Sequence, residues 1–178
     1  MKPKKFLVRR AQPGDAEAIV RVHVASWRTT YHDLLDPTIF DDMEKSLDQR
    51  IARQDEWLAR PDIVTYVATT LHHHIVGFIN GGPARRHDLG LDAELYAIYL
   101  LSGWQKSGVG TALVRQLALS LQVRGYHSLL VWVLSGNPSR SFYERLGGRA
   151  LTESPITIGS QTLDETAYGW DDIAVVSG

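Results

Sequence analysis

The sequence contains no cysteine, which excludes a disulfide framework and catalysis by a thiol. It also lacks an excess of either charge, since 19 Lys and Arg stand against 20 Asp and Glu for a formal net charge of -1. A near-neutral chain has no general electrostatic attraction for nucleic acid or for an anionic membrane. No apolar run reaches the length of a membrane span, and the basic start "MKPKKFLVRRA" lacks the apolar stretch of a signal peptide. We therefore expect a cytoplasmic protein that binds neither nucleic acid nor membrane.

The length and the hydrophobic content fit one folded domain. The chain has 178 residues, of which 44% are hydrophobic, so it can bury a core of its own. It shows no internal repeat, no low-complexity tract and no segment with the composition of a linker. We expect a single domain over residues 1–178, with a core of about residues 6–172.

Apolar periodicity predicts an α/β fold with a mixed sheet and the element order β-α-α-β-β-β-α-β-α-β-β. The run "SLLVWVL" is nearly all apolar, as expected of a strand buried on both faces. Asp15 is the expected N-cap of the first helix, and Asn137 is the expected cap of the last one, with Pro138 at its first position. Strands are predicted at 5–11, 63–70, 74–82, 92–101, 128–134, 148–159 and 161–170, and helices at 12–31, 44–60, after the 104–110 loop and at 137–147.

A glycine-rich loop, "WQKSGVG", leads from a predicted strand into a long helix with an apolar stripe at Ala112, Leu113, Leu117 and Leu121. A tight turn is one interpretation of the two glycines. An anion site is the other, because a helix N-terminus offers unpaired N–H groups and glycine lets an anion approach the backbone. The loop lacks the Lys-Ser/Thr pair of a nucleotide P-loop and the third glycine of the dinucleotide fingerprint.

Two segments together resemble the GCN5-related N-acetyltransferase family. The loop Gln105-Lys106-Ser107-Gly108-Val109-Gly110 fits the family's pattern Gln/Arg-x-x-Gly-x-Gly/Ala for binding acetyl-CoA. Downstream, the family's Asn before a short helix with Phe-Tyr and Leu-Gly corresponds to Asn137, Phe142, Tyr143, Leu146 and Gly147. The resemblance covers residues 6 to 170 and implies a central, mixed, twisted sheet of about seven strands flanked by helices. It also implies acetyl-CoA as co-substrate. Because His72, His73 and His74 are adjacent residues at a predicted hairpin turn, where solvation is the usual state, we expect no metal.

The resemblance implies where the cofactor lies. Backbone N–H groups of the loop would hold the diphosphate, and pantetheine would lie where two parallel strands splay apart, the one ending near Tyr99 and the one through Leu130 to Trp132. The short segment around Asn137 would contribute further contacts. The implied cofactor-binding residues are Ile98, Tyr99, Leu100, Gln105, Lys106, Ser107, Gly108, Val109, Gly110, Thr111, Asn137, Ser139 and Tyr143.

Two side chains are the implied proton-transfer groups. Glu94 lies in the position, eleven residues before Gln105, that family members with a glutamate base use. Its alternative is a solvated or ion-paired carboxylate at a strand end. Tyr143 matches the family's general acid, which would protonate the departing thiolate, and its alternative is core packing beside Phe142.

The acceptor side is the least specified part. The resemblance implies that the first helices wall the acceptor site, where Trp27, Tyr31 and His32 would bind substrate, with Asp33 and Asp36 nearby. Aromatic rings and carboxylates suit a cationic primary amine of a small molecule or peptide. A non-catalytic acetyl-CoA sensor on the same fold is the alternative function, and a homodimer stays open.

The family often has an aromatic residue where this chain has Gly148, which predicts looser packing there.

Overall fold

The computed structural model describes residues 4–177. Seven strands form one mixed sheet in the order β1-β2-β3-β4-β5-β7-β6. All pairs are antiparallel except β4 with β5. The predicted α/β fold and all seven predicted strands are confirmed. The strands are β1 (Leu7–Arg10), β2 (Val64–Thr69), β3 (Ile75–Pro83), β4 (Ala93–Leu100), β5 (Leu129–Leu134), β6 (Arg149–Ile158) and β7 (Gln161–Trp170).

The helices include two that the predicted order lacks. One follows the first helix, where Asp36 accepts a hydrogen bond from the Thr38 N–H (2.9 Å) and Pro37 takes the first helical position. The other is a short helix after the last strand. The helices are α1 (Ala16–Tyr31), α2 (Pro37–Lys45), α3 (Leu47–Leu58), α4 (Val109–Val123), α5 (Arg140–Arg145) and α6 (Ala174–Ser177). None of the helices within residues 4–177 is long and apolar enough to cross a bilayer.

Helix α4 covers one face of the sheet and α1 covers the other. Leu113, Leu117 and Leu121 of the predicted stripe are fully buried against β2, β3 and β5. Val67 of β2 and Phe78 of β3 point the opposite way, onto Ile19 of α1. Side chains of alternate strand residues thus pack on opposite faces of the sheet and form two hydrophobic layers between the sheet and the helices.

The sheet opens between β4 and β5. Their parallel pairing has three partners, from Ala93–Leu129 to Leu95–Val131, although both strands continue beyond it. A register shift in the β3–β4 pairing near Asn80 bends β4 at the same level. Beyond Leu95 the two strands diverge, as the resemblance implied.

Two residues that were expected to cap helices bind differently from the prediction. Asp15 occupies the N-cap position of α1, but its carboxylate binds the Arg9 guanidinium (2.6 and 2.9 Å) rather than the helix. Asn137 accepts a hydrogen bond from the Ser139 N–H (2.8 Å) in the turn before α5. Because α5 begins at Arg140, Asn137 stabilises the entry to the helix and Pro138 lies outside it.

The expectation of loose packing at Gly148 is wrong. A Cβ at this position would lie 2.7 Å from the Trp170 indole and 2.9 Å from the Tyr143 carbonyl oxygen. The indole N–H also donates to the Leu146 carbonyl oxygen (2.8 Å). A side chain from β7 therefore fills the space that an aromatic residue at position 148 would take.

Candidate active site

A cavity of about 690 Å³ lies in the gap between β4 and β5. Its walls come from α1, the start of α4, the α5 segment and the loop that follows β3. Because the sheet backbone is unpaired between the two strands here, the cavity passes from one face of the sheet to the other. The sheet residues that line it are Leu95, Tyr96, Ala97, Ile98, Tyr99, Leu100, Val131, Trp132, Val133, Leu134, Ile156, Ile158 and Glu165.

The α4 end of the cavity is a cradle of backbone N–H groups. Lys106 and Gly108 have left-handed φ angles of 55° and 85°, which turn the chain sharply into the helix. None of the six N–H groups from Lys106 through Thr111 donates to an acceptor among residues 4–177; the first such bond in the helix is from Ala112 to the Gly108 carbonyl oxygen. These donors and the positive end of the helix dipole fit an anion. The side chains of Lys106 and Arg145 add positive charge at the cavity wall.

Three phenols, those of Tyr31, Tyr99 and Tyr143, also line the cavity. Tyr143 of α5 is 6% exposed, stacks on Tyr168 (centroids 5.9 Å apart) and lines the cavity. Burial raises the pKa of the Tyr143 hydroxyl well above its usual value near 10, and the nearby Tyr31 adds to the shift. Tyr99 is shifted in the same direction, also chiefly by burial. At neutral pH these phenols are therefore hydrogen-bond donors, not anions.

Asn137 links two walls of the cavity. Its side-chain N–H donates to the Tyr31 hydroxyl (2.9 Å), while its oxygen accepts from the Ser139 N–H. Ser26 of α1 donates to the Leu100 carbonyl oxygen (2.9 Å) at the end of β4. These bonds fix α1 to both the α5 segment and the open strand.

Glu94 is buried and ion-paired. It is 1% exposed, and its carboxylate accepts from the Arg85 N–H (2.9 Å) and from the Arg85 guanidinium, including Nε at 3.1 Å. Arg85 lines the cavity, whereas Glu94 is not among the lining residues. The bonds to Arg85 thus fix the orientation of the Glu94 carboxylate, which does not itself line the cavity.

Comparison with known proteins identifies the family. A family model described as FR47-like protein matches residues 86–155. The uncharacterized N-acetyltransferase YuaI of Bacillus subtilis (strain 168) is 37% identical over 169 residues, which cover 95% of each chain. The chain belongs to the GCN5-related N-acetyltransferase family. The resemblance read from the sequence and the enzyme class, an N-acetyltransferase, are confirmed.

Solved N-acetyltransferase structures share the fold. PaiA of Thermoplasma acidophilum, in complex with coenzyme A, has a TM-score of 0.72 at 20% identity and covers 93% of this chain and 98% of its own. YncA of Salmonella typhimurium, solved with acetyl-CoA, has a TM-score of 0.65 at 21% identity over 93% and 92% of the two chains. The fold that the resemblance to the GCN5-related N-acetyltransferase family implied is therefore confirmed.

In this N-acetyltransferase most of the predicted site residues meet at one cavity. Four do not line it: Ser107, Val109, Glu94 and His32. The Ser107 hydroxyl donates to the Trp104 carbonyl oxygen (2.5 Å), which closes the loop, and Val109 is fully buried. The predicted residues that do line the cavity are Trp27, Tyr31, Ile98, Tyr99, Leu100, Gln105, Lys106, Gly108, Gly110, Thr111, Asn137, Ser139 and Tyr143.

The polar end of the expected acceptor wall lies outside the N-acetyltransferase cavity. His32 is 66% exposed and contacts Asp33 (2.9 Å), while Asp36 caps α2. The charged residues that line the acceptor side are instead Arg85 and Glu165. In the sequence Arg85 lies in a loop before Glu94, where it either contacts an acidic substrate or contacts nothing, and Glu165 has no signal for this role. Glu165 reaches the cavity through the long-range pairing of β7 with β5.

Within residues 4–177, no group of three or more His, Asp or Glu side chains is arranged to hold a metal ion. His72, His73 and His74 lie exposed at the turn between β2 and β3, away from the cavity.

Proposed function

We propose that the protein transfers the acetyl group of acetyl-CoA to a primary amine of a small molecule or peptide, by direct attack in a ternary complex. One observation carries the proposal: the unpaired N–H groups at the start of α4 and the gap between β4 and β5 open into the same cavity. A diphosphate bound at the cradle would leave an extended thiol arm directed into the gap. The other side of the gap is free for an acceptor.

The cradle fits the diphosphate of the cofactor. Backbone N–H groups of Lys106 to Thr111 bind phosphate oxygens, and the Lys106 and Arg145 side chains add charge. A Cβ at Gly108 would meet no heavy atom within 4 Å, so the backbone there is open to a ligand. Bound acetyl-CoA supplies an acyl thioester, whose carbonyl carbon is the electrophile.

The open edge of β4 orients the thioester. Beyond Leu95, the backbone of Ile98, Tyr99 and Leu100 has no pairing with β5 and lines the gap. Its polar groups bind the amides of the pantetheine arm. A backbone N–H near Tyr99 also donates to the thioester carbonyl oxygen, which gains negative charge during attack.

The attacking amine must lose a proton. An alkyl ammonium has a pKa near ~10.4, so forming free amine at pH 7 costs about 4.6 kcal/mol. Glu94 is the proposed proton acceptor, and water carries the proton to it, because its carboxylate does not line the cavity and the Arg85 guanidinium has no acceptor with which to relay a proton. A purely structural ion pair is the alternative role, and the pH dependence of a Glu94 variant separates the two.

Tyr143 is proposed to assist departure of the thiolate. Its pKa is raised above that of a thiol near ~8.5, so complete proton transfer to the thiolate is unfavourable. A hydrogen bond from the hydroxyl to the developing charge does not need complete transfer. The tyrosine therefore acts chiefly as a hydrogen-bond donor, and solvent completes the protonation.

The acceptor occupies the side lined by Trp27 and Tyr31, whose rings suit a cationic or apolar amine. His32 stays a prediction for acceptor binding. The test is acetyl-CoA turnover against a panel of amines, read by release of the CoA thiol. Amine-dependent release supports the transferase. Tight binding of acetyl-CoA with no release for any amine favours the sensor.

A further inference from the structure

The charged residues that line the cavity divide into two groups. Lys106 and Arg145 lie at the cradle end, where anionic phosphate is proposed to bind. Arg85 and Glu165 lie at the acceptor side. The chemistry that the acceptor side can recognise therefore depends on whether these two charges are already neutralised by the protein.

Both neighbouring guanidinium groups have carboxylate partners. Arg85 binds the buried Glu94, and Arg86, whose guanidinium lies 4.5 Å from the Trp132 ring centroid, binds Asp88 (3.1 Å). The carboxylate of Glu165 forms no ion pair and accepts no hydrogen bond within residues 4–177, although the charges of Arg86 and Arg85 act on it from a distance. Arg85 and Arg86 are thus each paired with a carboxylate of the protein. The negative charge of Glu165 has no such partner at the acceptor side.

Glu165 is half-buried on a strand that lies between two others, with apolar side chains on one side of it. On β7 it pairs with Leu134 of β5 and Ser154 of β6, in the centre of three adjacent strands. Leu134, Ile156 and Ile158 line the cavity beside it. Burial raises the pKa of Glu165, and the charge of Glu94 adds to this, while Arg86 and Arg85 act in the opposite direction.

A carboxylate with no counter-ion in a partly apolar site gains more from binding a cation than a solvated one does. We propose that Glu165 binds a positively charged ammonium group of the acceptor and thereby selects cationic amines. This inference rests on the proposed function, because it names the substrate class of the same cavity. The ammonium is either the group to be acetylated or a second cation on the same molecule.

Binding of amines to the CoA-saturated protein, measured by calorimetry, tests the proposal without depending on turnover. The probes are pentylamine, with one ammonium, and cadaverine, which adds a second at the far end of the same chain. Glu165→Gln removes the charge and keeps the shape. Asp164→Asn is the matched control, because Asp164 is the exposed neighbour on the same strand and is not among the lining residues.

The expected result is that cadaverine binds about tenfold or more weakly to Glu165→Gln than to the wild type, with Asp164→Asn unchanged. Equal weakening of pentylamine identifies the reacting ammonium as the group bound, and an effect on cadaverine alone identifies the second cation. Unchanged affinity in Glu165→Gln, or no amine binding to the wild type, would overturn the proposal. Failure of the proposed function is seen separately, as acetyl-CoA that binds without amine-dependent release of the CoA thiol, and a CoA titration of each variant shows that the cofactor end of the cavity is intact.

Discussion

The side-chain amide of Asn137 donates a hydrogen bond of 2.9 Å to the hydroxyl of Tyr31, 106 positions earlier in the chain. Both residues are buried and both line the cavity, one from the turn before α5 and one from the end of α1. The bond thus joins the proposed cofactor side to the proposed acceptor side. Its loss affects the shape of the whole site rather than a single contact.

Asn137→Ala is expected to lower both stability and acetyl-CoA affinity. It removes the bond to the Ser139 N–H and leaves the Tyr31 hydroxyl without its donor, at a cost of about 1 to 3 kcal/mol in unfolding free energy. Denaturant unfolding and calorimetry measure the two effects. Tyr31→Phe removes the second bond and keeps the first, so the double variant should lose less than the sum of the two single variants. Additive losses would contradict a direct coupling.

Thr111→Asp is expected to separate cofactor binding from stability. Thr111 lines the cavity in the first turn of α4, where a carboxylate favours the helix dipole but repels a diphosphate. The melting temperature should stay equal or rise, while acetyl-CoA affinity falls about tenfold or more. Thr111→Ser is the neutral control. Gly110→Asp is less informative, since a Cβ there already meets the Phe142 ring at 3.3 Å.

Tyr143→Phe should lower turnover with little change in the KM for acetyl-CoA. The ring and its stacking on Tyr168 remain, and only the hydroxyl is lost. We expect kcat to fall about 100-fold, the lower end of general acid–base effects, because the hydroxyl donates without complete proton transfer. Steady-state kinetics measures it. Full activity in the variant would assign Tyr143 to packing and leave its hydroxyl without a role in the departure of the thiolate.

Glu94→Gln should slow turnover most at low pH. If Glu94 accepts the amine's proton, its loss matters where free amine is scarce, and raising the pH toward ~10.4 should restore much of the rate. The variant also weakens the contact with Arg85, so we expect a loss of about 1 to 3 kcal/mol in unfolding free energy. A pH profile of kcat parallel to that of the wild type would leave Glu94 only its structural ion pair.

Local patterns were sufficient to predict the seven strands and the turn into α4, whereas the family resemblance supplied the central sheet and the role of the loop. The loop from Gln105 to Gly110 could be predicted from six consecutive residues, because glycine positions and a helix start are local properties. The missed helix α2 also had a local signal, since Asp36-Pro37 is a favourable start for a helix.

The acceptor side could not be predicted in the same way. Glu165 enters the cavity because β7 inserts between β5 and β6, and Arg85 turns back onto Glu94 from a loop nine residues away. The position of Glu165 depends on long-range pairing, which leaves no spacing in the sequence, whereas Arg85 and Glu94 face each other across a short hairpin. Asp15 occupies the predicted N-cap position, but its carboxylate binds the side chain of Arg9, six residues earlier.

Initial-rate kinetics with acetyl-CoA and an accepted amine both varied tests the central claim most directly. Direct attack in one cavity requires both substrates to be bound together, so double-reciprocal plots should intersect, and protein incubated with acetyl-CoA alone should keep its mass. Parallel lines together with a protein that gains one acetyl group would contradict the account, because the acetyl group would then pass through a residue of the enzyme.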